Sequence, residues 1–303
     1  MRHSIVSLTL LQAVLVVQFV SAAGFLSSHV SVPLHQTSAA RGFGSTSSVD
    51  WTPITTATTA NEKESDAQSA IPHLVFPGGG IFFYWQAGAV TYLREQGYNV
   101  AAATTAGASA GALTATLTAT GVDFYKATEL ALDMADKAGV WDRSGGLQGV
   151  WGPMISDWLD ELLPINAVEL VPDGRLSLLV TPVPQFGKTK VDEFKDRKDL
   201  IRCNMASIHL PWFLDGKLTT QFRDKPCIDG SFLSKDQDYL PERNGSNVLV
   251  LDYNQDPRYE STKLLDFVTA LSPDSIFQLL EDGKRYACQL EEQGKFVSLP
   301  KMH

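Results

Sequence analysis

The spacing of apolar and polar residues along this chain changes several times after residue 70. Three short apolar runs, HLVFPGGG (73–80), RLSLLVTPV (175–183) and NVLVLDY (247–253), have the length and composition of interior strands. Longer segments with apolar residues at helical spacing lie between these runs. The alternation predicts a parallel sheet covered by helices on both faces, and therefore an α/β fold class.

Four helices are predicted from helical spacing. Before Gly97, apolar residues at positions 87, 90 and 93 share one side of a helix. Another helix is predicted from Phe124 to Lys137, and two more near 191–205 and 274–295. These helices fill the intervals between the predicted strands.

The stretch TTAGASAGAL (104–113) places Ser109 among residues that have almost no side chain. The surrounding sequence predicts a strand, a sharp turn at Ser109 and a helix that ends at Gly121. A turn this tight forces its apex into an unfavourable backbone conformation, and small neighbours such as Gly107 and Gly111 relieve the clash. The hydroxyl is then exposed near a helix N-terminus, whose N–H groups favour developing negative charge. The pattern predicts that Ser109 is a nucleophile.

A nucleophilic serine needs a base, and the histidines of this chain are poorly placed for that role. In the common hydrolase order an acid and then a histidine follow the serine, but His209 precedes the best acidic candidate and His303 is the last residue. That candidate is Asp229 in KPCIDGSF (225–232), which we predict to accept the serine proton directly, with a pKa raised by partial burial. An ordinary Asp-Gly turn is the alternative interpretation of the same residues.

Composition and charge exclude several classes of function. The chain has 303 residues, of which 44% are hydrophobic and 19% charged, as in a globular protein with a full-sized core. A formal net charge of -9 without a basic patch argues against a nucleic-acid partner. Cys203, Cys227 and Cys288 are too far apart for zinc or redox motifs. We therefore predict neither a metal site nor a cofactor.

The N-terminus has the features of a targeting leader. Residues 5–20 carry no charge and are followed by Ser21, Ala22 and Ala23, which suit a signal peptidase. Polar residues interrupt this run, and it is shorter than a membrane span requires. We predict a signal peptide over residues 1–22 that directs the protein into the secretory pathway, with a membrane anchor as the alternative.

Residues 23–70 are predicted to be a transit-like segment or a disordered linker before a folded domain at 71–303. From Gly24 to Val49 there is no acidic residue but there are nine Ser or Thr, and Phe25 lies just after the predicted cleavage point. After a signal peptide, this composition predicts a plastid destination. The alternative is a linker in a secreted or endoplasmic-reticulum protein, in which Asn244 of NGS would be a glycosylation acceptor.

Three motifs in fixed order resemble the patatin-like phospholipases and acylhydrolases. They are FPGGGIFFYWQAGAVTYLREQG (76–97), AGASAGALTAT (106–116) and KPCIDGS (225–231), and the likeness extends from about Leu74 to Leu233. The sequence resembles especially the branch that includes adipose triglyceride lipase and adiponutrin. The resemblance implies a patatin-like three-layer sandwich and a Ser-Asp dyad that hydrolyses lipid esters.

The resemblance also implies a role for each matching residue. Ser109 corresponds to the nucleophile, Asp229 to the base, and Gly78, Gly79 and Gly80 to the loop that forms the oxyanion hole. Glycines present backbone amides without side-chain obstruction, and amides aimed at the oxyanion are worth about 3 to 4 kcal/mol each. The alternative, a nucleotide-binding turn, lacks the acidic residue expected about 20 positions later.

Two residues depart from the family pattern. The family usually has a further glycine at the position of Phe83, and it prefers Gly or Ala at the position of Ser231. The bulky Phe83 motivates one alternative, a catalytically weak lipid-binding relative. A second alternative is a Ser-His-Asp esterase of the α/β-hydrolase fold, which would depend on His209.

We therefore expect a lipid acyl ester hydrolase that acts on phospholipid, triacylglycerol or galactolipid. Its expected partner is a lipid substrate at a membrane or lipid-droplet surface. The aromatic segments IFFYW (81–85) and HLPWFL (209–214) each lie beside a predicted catalytic element. They are candidates for lining an acyl pocket or contacting lipid, with core packing as the alternative.

Overall fold

The structure is a computed structural model that describes residues 71–241, 247–259 and 268–302. The predicted signal peptide, the transit-like segment and Asn244 lie outside the described residues. In the part of the chain that is described, no helix combines the length and apolarity needed to cross a bilayer.

Seven strands of the described residues form one mixed sheet. In chain order they are β1 (His73–Phe76), β2 (Thr104–Gly107), β3 (Leu176–Pro182), β4 (Thr189–Val191), β5 (Thr220–Phe222), β6 (Lys225–Ile228) and β7 (Val248–Val250). Their spatial order is β5-β6-β3-β2-β1-β7, and β4 pairs with β3 outside this path. β7, β1, β2 and β3 run parallel, whereas β4 and β6 are antiparallel to β3.

The parallel strands confirm the predicted α/β class, but the antiparallel strands β4 and β5 were not predicted. Each has only three residues, TKV and TQF, and most of their side chains are not fully buried. Such short strands leave no apolar run in the sequence. The sheet is therefore mixed rather than wholly parallel.

The described residues form eight α-helices around this sheet. They are α1 (Phe83–Glu95), α2 (Ala110–Ala119), α3 (Phe124–Lys137), α4 (Trp151–Leu162), α5 (Ala167–Leu170), α6 (Arg197–Ser207), α7 (Asp236–Tyr239) and α8 (Pro273–Glu292). The predictions for α1, α2, α3 and α8 are confirmed to within a few residues, whereas α4 and the four-residue helices α5 and α7 were missed.

The helix predicted near 191–205 begins later than expected, at Arg197. Two features shift its start: β4 occupies the residues up to Val191, and the Asp196 side chain caps the helix by accepting the Asp199 N–H at 2.7 Å. The capping carboxylate, rather than the apolar period, sets this boundary.

The two faces of the sheet carry apolar cores of unequal size. The main core lies on the face covered by α1, α2, α6 and α8. On the opposite face, Val75, Ala106 and Leu179 pack with Tyr239 of α7 in a smaller cluster. Successive strand residues point to opposite faces, so both faces are covered by helices, as predicted, but most buried side chains lie on one side.

Helix α2 crosses the middle of the sheet and determines where the predicted nucleophile lies. All ten of its residues are buried, and it contacts β1, β2 and β3. Its N-cap residue is Ser109. The serine is therefore fixed at the carboxyl ends of the central parallel strands, where ligands bind in open α/β sheets.

A pair of glycines allows α1 and α8 to touch along their backbones. A Cβ atom on Gly88 would lie 1.9 Å from the Leu280 carbonyl oxygen, and one on Gly283 would lie 1.9 Å from the Trp85 carbonyl oxygen. Both distances are far inside van der Waals contact. No larger residue fits at either position without separating the two helices.

We expect Gly88→Ala to lower the free energy of unfolding by about 2 to 3 kcal/mol, because the clash outweighs a gain of about 1 kcal/mol in helix propensity. Gly187→Ala is the matched control, since a Cβ at Gly187 meets nothing within 4 Å. Denaturant unfolding of both variants measures the difference. Equal stability of the two variants would contradict the close helix contact.

Candidate active site

Ser109 occupies the sharp turn that the sequence predicts between β2 and α2. Its backbone has φ 54° and ψ −132°, in a region that non-glycine residues rarely adopt. Ser109 is buried, whereas the sequence predicted an exposed hydroxyl, and α2 begins at the next residue, Ala110. Strain of this kind persists only where the surroundings enforce it.

Gly107 and Gly111 provide the space for this turn. A Cβ on Gly107 would lie 2.1 Å from the Gly111 carbonyl oxygen, and a Cβ on Gly111 would lie 1.9 Å from the carbonyl oxygen of Phe76. The backbones of β1, β2 and α2 therefore meet directly around Ser109. The predicted reason for small residues here agrees with the geometry.

Asp229 lies within hydrogen-bond distance of Ser109, although 120 residues separate them in the chain. Ser109 Oγ donates to Asp229 Oδ2 at 2.6 Å. The other carboxylate oxygen, Oδ1, accepts the backbone N–H of Ser231 at 2.8 Å and the Ser231 hydroxyl at 2.6 Å. Both oxygens of the carboxylate are thus used, and its orientation is fixed.

The carboxylate of Asp229 is buried, and this burial affects its acidity. Desolvation raises the pKa of Asp229, while the hydrogen bonds from Ser109 and Ser231 and the charge of Lys188 oppose the increase. Lys188 acts from close by, since its Nζ donates to Thr181 Oγ1 at 2.8 Å and Thr181 in turn donates to the Asp229 carbonyl oxygen at 2.8 Å. Burial also lowers the pKa of Lys188 to about 8.

Gly78, Gly79 and Gly80 form the loop between β1 and α1, next to Ser109. A Cβ on Gly78 would lie 2.7 Å from Ser231 Cβ and 3.2 Å from Ser109 Cβ, and Gly80 has φ +52°. Among the hydrogen bonds of the described residues, none uses the N–H groups of these three glycines as donors. The loop therefore offers free backbone donors beside the serine hydroxyl.

Aromatic and ionic contacts hold this glycine loop from the side of β7. The ring of Phe82 stacks on Tyr253 with centroids 4.1 Å apart and an interplanar angle of 9°. The short turn that carries Tyr253 is anchored by Asp256, which accepts the indole N–H of Trp85 at 2.9 Å and pairs with Arg258 at 2.7 Å. This support was not visible in the sequence.

Phe83 lies outside the glycine turn. It is the first residue of α1, with a helical φ of −44°. Its ring packs against Phe124 and Trp158, with centroids 6.1 and 5.6 Å away. The bulky residue that departs from the family pattern thus follows the loop of residues 78–80 in the chain and packs in the main core.

An apolar pocket with a volume of about 90 Å³ lies beside Ser109. The predicted aromatic segments contribute Ile81, Phe83, Tyr84, Leu210 and Leu214 to its walls. Helices α3 and α4 supply seven further lining residues, and α4 was missed in the sequence. Phe82 and Trp85 are buried in the main core and do not line the pocket.

The described histidines do not contact the Ser109 hydroxyl. The ring of His209 is directed to the Lys217 carbonyl oxygen, 3.3 Å from Nε2, and burial lowers its pKa. His73 contacts the Thr104 hydroxyl and the Tyr239 carbonyl oxygen. Neither ring is placed to accept the serine proton.

The C-terminal end of α6 links the two loops that carry Ser109 and Asp229. Ser207 Oγ accepts the backbone N–H of Ser109 at 3.0 Å, and the Ser207 carbonyl oxygen accepts the N–H of Gly230 at 2.7 Å. The carbonyl oxygen of His209 accepts the N–H of Asp229 at 2.9 Å. Sequence reasoning missed Ser207, because a serine at the end of a helix carries no distinctive signal.

The described residues contain no group of three or more His, Cys, Asp or Glu side chains arranged to hold a metal ion. The groups next to the pocket are the Ser109 hydroxyl, the Asp229 carboxylate that accepts from it, and the backbone amides of the glycine loop. Such a set suits nucleophilic attack on a carbonyl carbon.

The chain was compared with models of known protein families. The profile described as patatin-like phospholipase matches residues 74–236, which is more than half of the chain and includes the glycine loop, Ser109 and Asp229. The chain belongs to the patatin-like phospholipase family. The resemblance inferred from three motifs is thereby confirmed.

Two curated relatives are similar over about half of this chain. The omega-hydroxyceramide transacylase of Mus musculus is 28% identical over 169 residues, which cover 54% of this chain and 28% of the relative. The Homo sapiens protein of the same name is 28% identical over 167 residues, which cover 53% of this chain and 31% of the relative. The alignments thus span less than a third of either relative.

Two solved structures show a partial likeness. VipD from Legionella pneumophila has 14% identity and a TM-score of 0.45, with 74% of this chain and 67% of that chain covered. A chain of the ExoU–SpcU complex from the type III secretion system of Pseudomonas aeruginosa has 17% identity and a TM-score of 0.40, with 74% and 52% covered. The assignment of the fold rests on family membership and on the strand topology described above.

We expect Ser207→Ala to destabilise the protein by about 1 to 3 kcal/mol, because the buried N–H of Ser109 loses its acceptor. Thr118→Val is the matched control: Thr118 Oγ1 is buried without a hydrogen-bond partner among the described residues, so removing it should be neutral or stabilising. Thermal unfolding of both variants is the measurement. A Ser207→Ala variant as stable as the control would contradict the linking role of Ser207.

Proposed function

We propose that this patatin-like protein hydrolyses carboxylic esters of lipids, with Ser109 as the nucleophile and Asp229 as the base. The observation that carries the proposal is the 2.6 Å contact between Ser109 Oγ and Asp229 Oδ2 at the wall of an apolar pocket. An apolar pocket beside a nucleophile fits an acyl chain better than a polar substrate. Membership of the patatin-like phospholipase family supports the same class of substrate.

In the proposed first step, Ser109 Oγ attacks the ester carbonyl carbon while its proton moves to Asp229 Oδ2. The tetrahedral intermediate collapses, the ester C–O bond breaks, and the proton passes from Asp229 to the leaving alcohol. Water then attacks the acyl group on Ser109 and gives a proton to Asp229. The fatty acid leaves when Ser109 takes that proton back.

The glycine loop is the proposed oxyanion hole for both tetrahedral intermediates. The free N–H groups of Gly78, Gly79 and Gly80 lie beside Ser109, and the N-terminus of α2 adds its dipole. Burial supports the basic role of Asp229, because a raised pKa makes the carboxylate a better acceptor for a hydroxyl proton. No step requires a metal ion or an organic cofactor.

The pattern of contacts favours this mechanism over the two alternatives raised by the sequence. An esterase that depends on His209 would need the imidazole near Ser109 Oγ, but the ring is directed to the Lys217 carbonyl oxygen. A catalytically weak relative was suggested by Phe83, and that side chain packs on Phe124 and Trp158 of the main core. The hydrolase is therefore the function that we propose.

Acyl transfer to a lipid alcohol is a second candidate function. Both curated relatives are named as transacylases, and an acyl group on Ser109 can react with an alcohol as well as with water. The two outcomes share every residue of the first half-reaction. Adding a long-chain alcohol to the assay and measuring wax ester against free fatty acid separates them.

The lipid surface and the compartment stay proposals. A membrane or lipid droplet would present the substrate, and a signal peptide followed by a transit-like segment would deliver the protein to a plastid.

The direct experiment on function is to incubate the purified protein with phospholipid, galactolipid and triacylglycerol emulsions and to measure fatty acid release, with Ser109→Ala as the inactive control.

We expect Ser109→Ala, Asp229→Asn and the double variant to lose similar amounts of activity, about 10³-fold or more, because the two residues act in the same step. Asp252→Asn is the matched carboxylate control, since burial also raises the pKa of Asp252 but its side chain binds Asn254. The measurement is kcat/KM on a fluorogenic acyl ester. Near-normal turnover by Asp229→Asn, or losses that add in the double variant, would contradict the shared step.

We expect Ala131→Phe to reduce kcat/KM for long-chain esters about 10-fold more than for butyryl esters, because the larger ring occupies part of the pocket that Ala131 lines. Ala138→Phe is the matched control, since Ala138 is exposed and does not line the pocket. A series of esters from four to sixteen carbons measures the effect. An equal loss at every chain length would show that the pocket does not hold the acyl group.

A further inference from the structure

Ser231 contacts the proposed base directly, although the sequence marks it only as a small departure from the family pattern. Its backbone N–H and its hydroxyl both donate to Asp229 Oδ1, at 2.8 and 2.6 Å. A residue without a hydroxyl at this position would supply the N–H alone. The second hydrogen bond therefore depends on the serine side chain.

The position of Ser231 also connects the base with the glycine loop. Ser231 Cβ is the nearest atom to the Cβ that Gly78 lacks, at 2.7 Å, and Ser231 Oγ lies 2.9 Å from the same point. The side chain thus packs between Asp229 and the loop beside Ser109. The Ser234 hydroxyl donates to the Ser231 carbonyl oxygen at 3.0 Å and makes no hydrogen bond to Asp229 among the described residues.

We propose that Ser231 is a positioning residue that holds the Asp229 carboxylate with Oδ2 toward Ser109 and sets the acid edge of the pH–rate profile. This inference rests on the proposed function of the Ser109–Asp229 pair. Two donors on Oδ1 oppose rotation of the carboxylate and leave Oδ2 for the serine proton. Both bonds also favour the ionised carboxylate, because an anion is the stronger acceptor.

The other titratable groups around Asp229 are the same in every variant compared. They therefore do not cause a shift of the acid limb between variants. Lys188, whose pKa burial lowers to about 8, stays protonated throughout the acid range. Burial raises the pKa of Tyr239 to about 12, so that the phenol is neutral there. His209, whose pKa is lowered by burial, is present unchanged in every variant compared. A shift caused by loss of the Ser231 hydroxyl is therefore assignable to Asp229.

The direction of the expected pH shift follows from the effect of the Ser231 hydroxyl on the pKa of Asp229. Removing a donor from the carboxylate makes its protonation easier, so the pKa of Asp229 rises and the base is lost at a higher pH. In Ser231→Ala the backbone N–H and the Cβ contact with Gly78 remain, and only the hydroxyl is removed. We expect the acid limb of kcat/KM to move upward by about one pH unit.

The experiment uses the full chain in five forms: wild type, Ser231→Ala, Ser231→Gly, Ser234→Ala and Ser109→Ala. Hydrolysis of a short umbelliferyl ester and the rate of covalent labelling by a fluorophosphonate are each measured from pH 4 to 9. Labelling reports the nucleophile without acyl turnover. Ser231→Gly removes the same hydroxyl if the alanine variant fails to fold, and Ser234→Ala is the control within the same turn.

The inference is supported if both Ser231 variants shift the acid limb upward in both assays while Ser234→Ala follows the wild type. It is overturned if Ser109→Ala abolishes activity and labelling but the profiles of the Ser231 variants superimpose on the wild type. A lower rate with an unchanged acid limb also overturns it, because that is the result of a structural role alone. Activity and labelling that survive in Ser109→Ala would instead overturn the proposed function itself, and this inference with it.

Discussion

Gly107 and Gly111 allow three backbone segments to touch where β1 and β2 end and α2 begins. A Cβ on Gly111 would lie 1.9 Å from the Phe76 carbonyl oxygen and 2.6 Å from that of Pro77. Any side chain would push α2 away from the sheet. Because these residues are small, a fully buried helix starts directly above the central strands, and Ser109 is held in its strained conformation at the start of that helix. The position of the glycine loop depends on the same contact, since Pro77 precedes it.

Asp229 is brought to Ser109 by backbone contacts rather than by long side chains. Asp229 follows β6, which pairs with the last residues of β3. The end of α6 binds the N–H groups of Ser109, Asp229 and Gly230 with one hydroxyl and two carbonyl oxygens. Gly230 allows this approach, because a Cβ there would lie 1.9 Å from the Leu179 carbonyl oxygen. Short side chains on a rigid frame are suited to holding a hydroxyl and a carboxylate at 2.6 Å.

The parts of the site that are encoded locally could be predicted from the sequence, and the parts that depend on distant contacts could not. The turn at Ser109 was visible because its glycines and alanines are consecutive. Asp229 was visible because an apolar pair precedes it and a glycine follows. Ser207 was missed, since its bond to Ser109 spans 98 residues and a serine at a helix end is common. The strands β4 and β5 were missed because neither is longer than three residues, and their pairing is a property of the sheet.

The burial of Asp229 has a consequence for the resting protein as well as for the reaction. Its pKa is higher in the folded chain than the ordinary value of 3.8, so the folded state binds this proton more tightly than the unfolded state does. By linkage, the contribution of this group to the free energy of unfolding is largest in acid and declines as the pH rises through the raised pKa. The ionised form, which the proposed mechanism requires, is therefore the less stable form of the fold. The frame around the carboxylate, from α6 to the glycine loop, must offset the free energy of keeping that charge away from water.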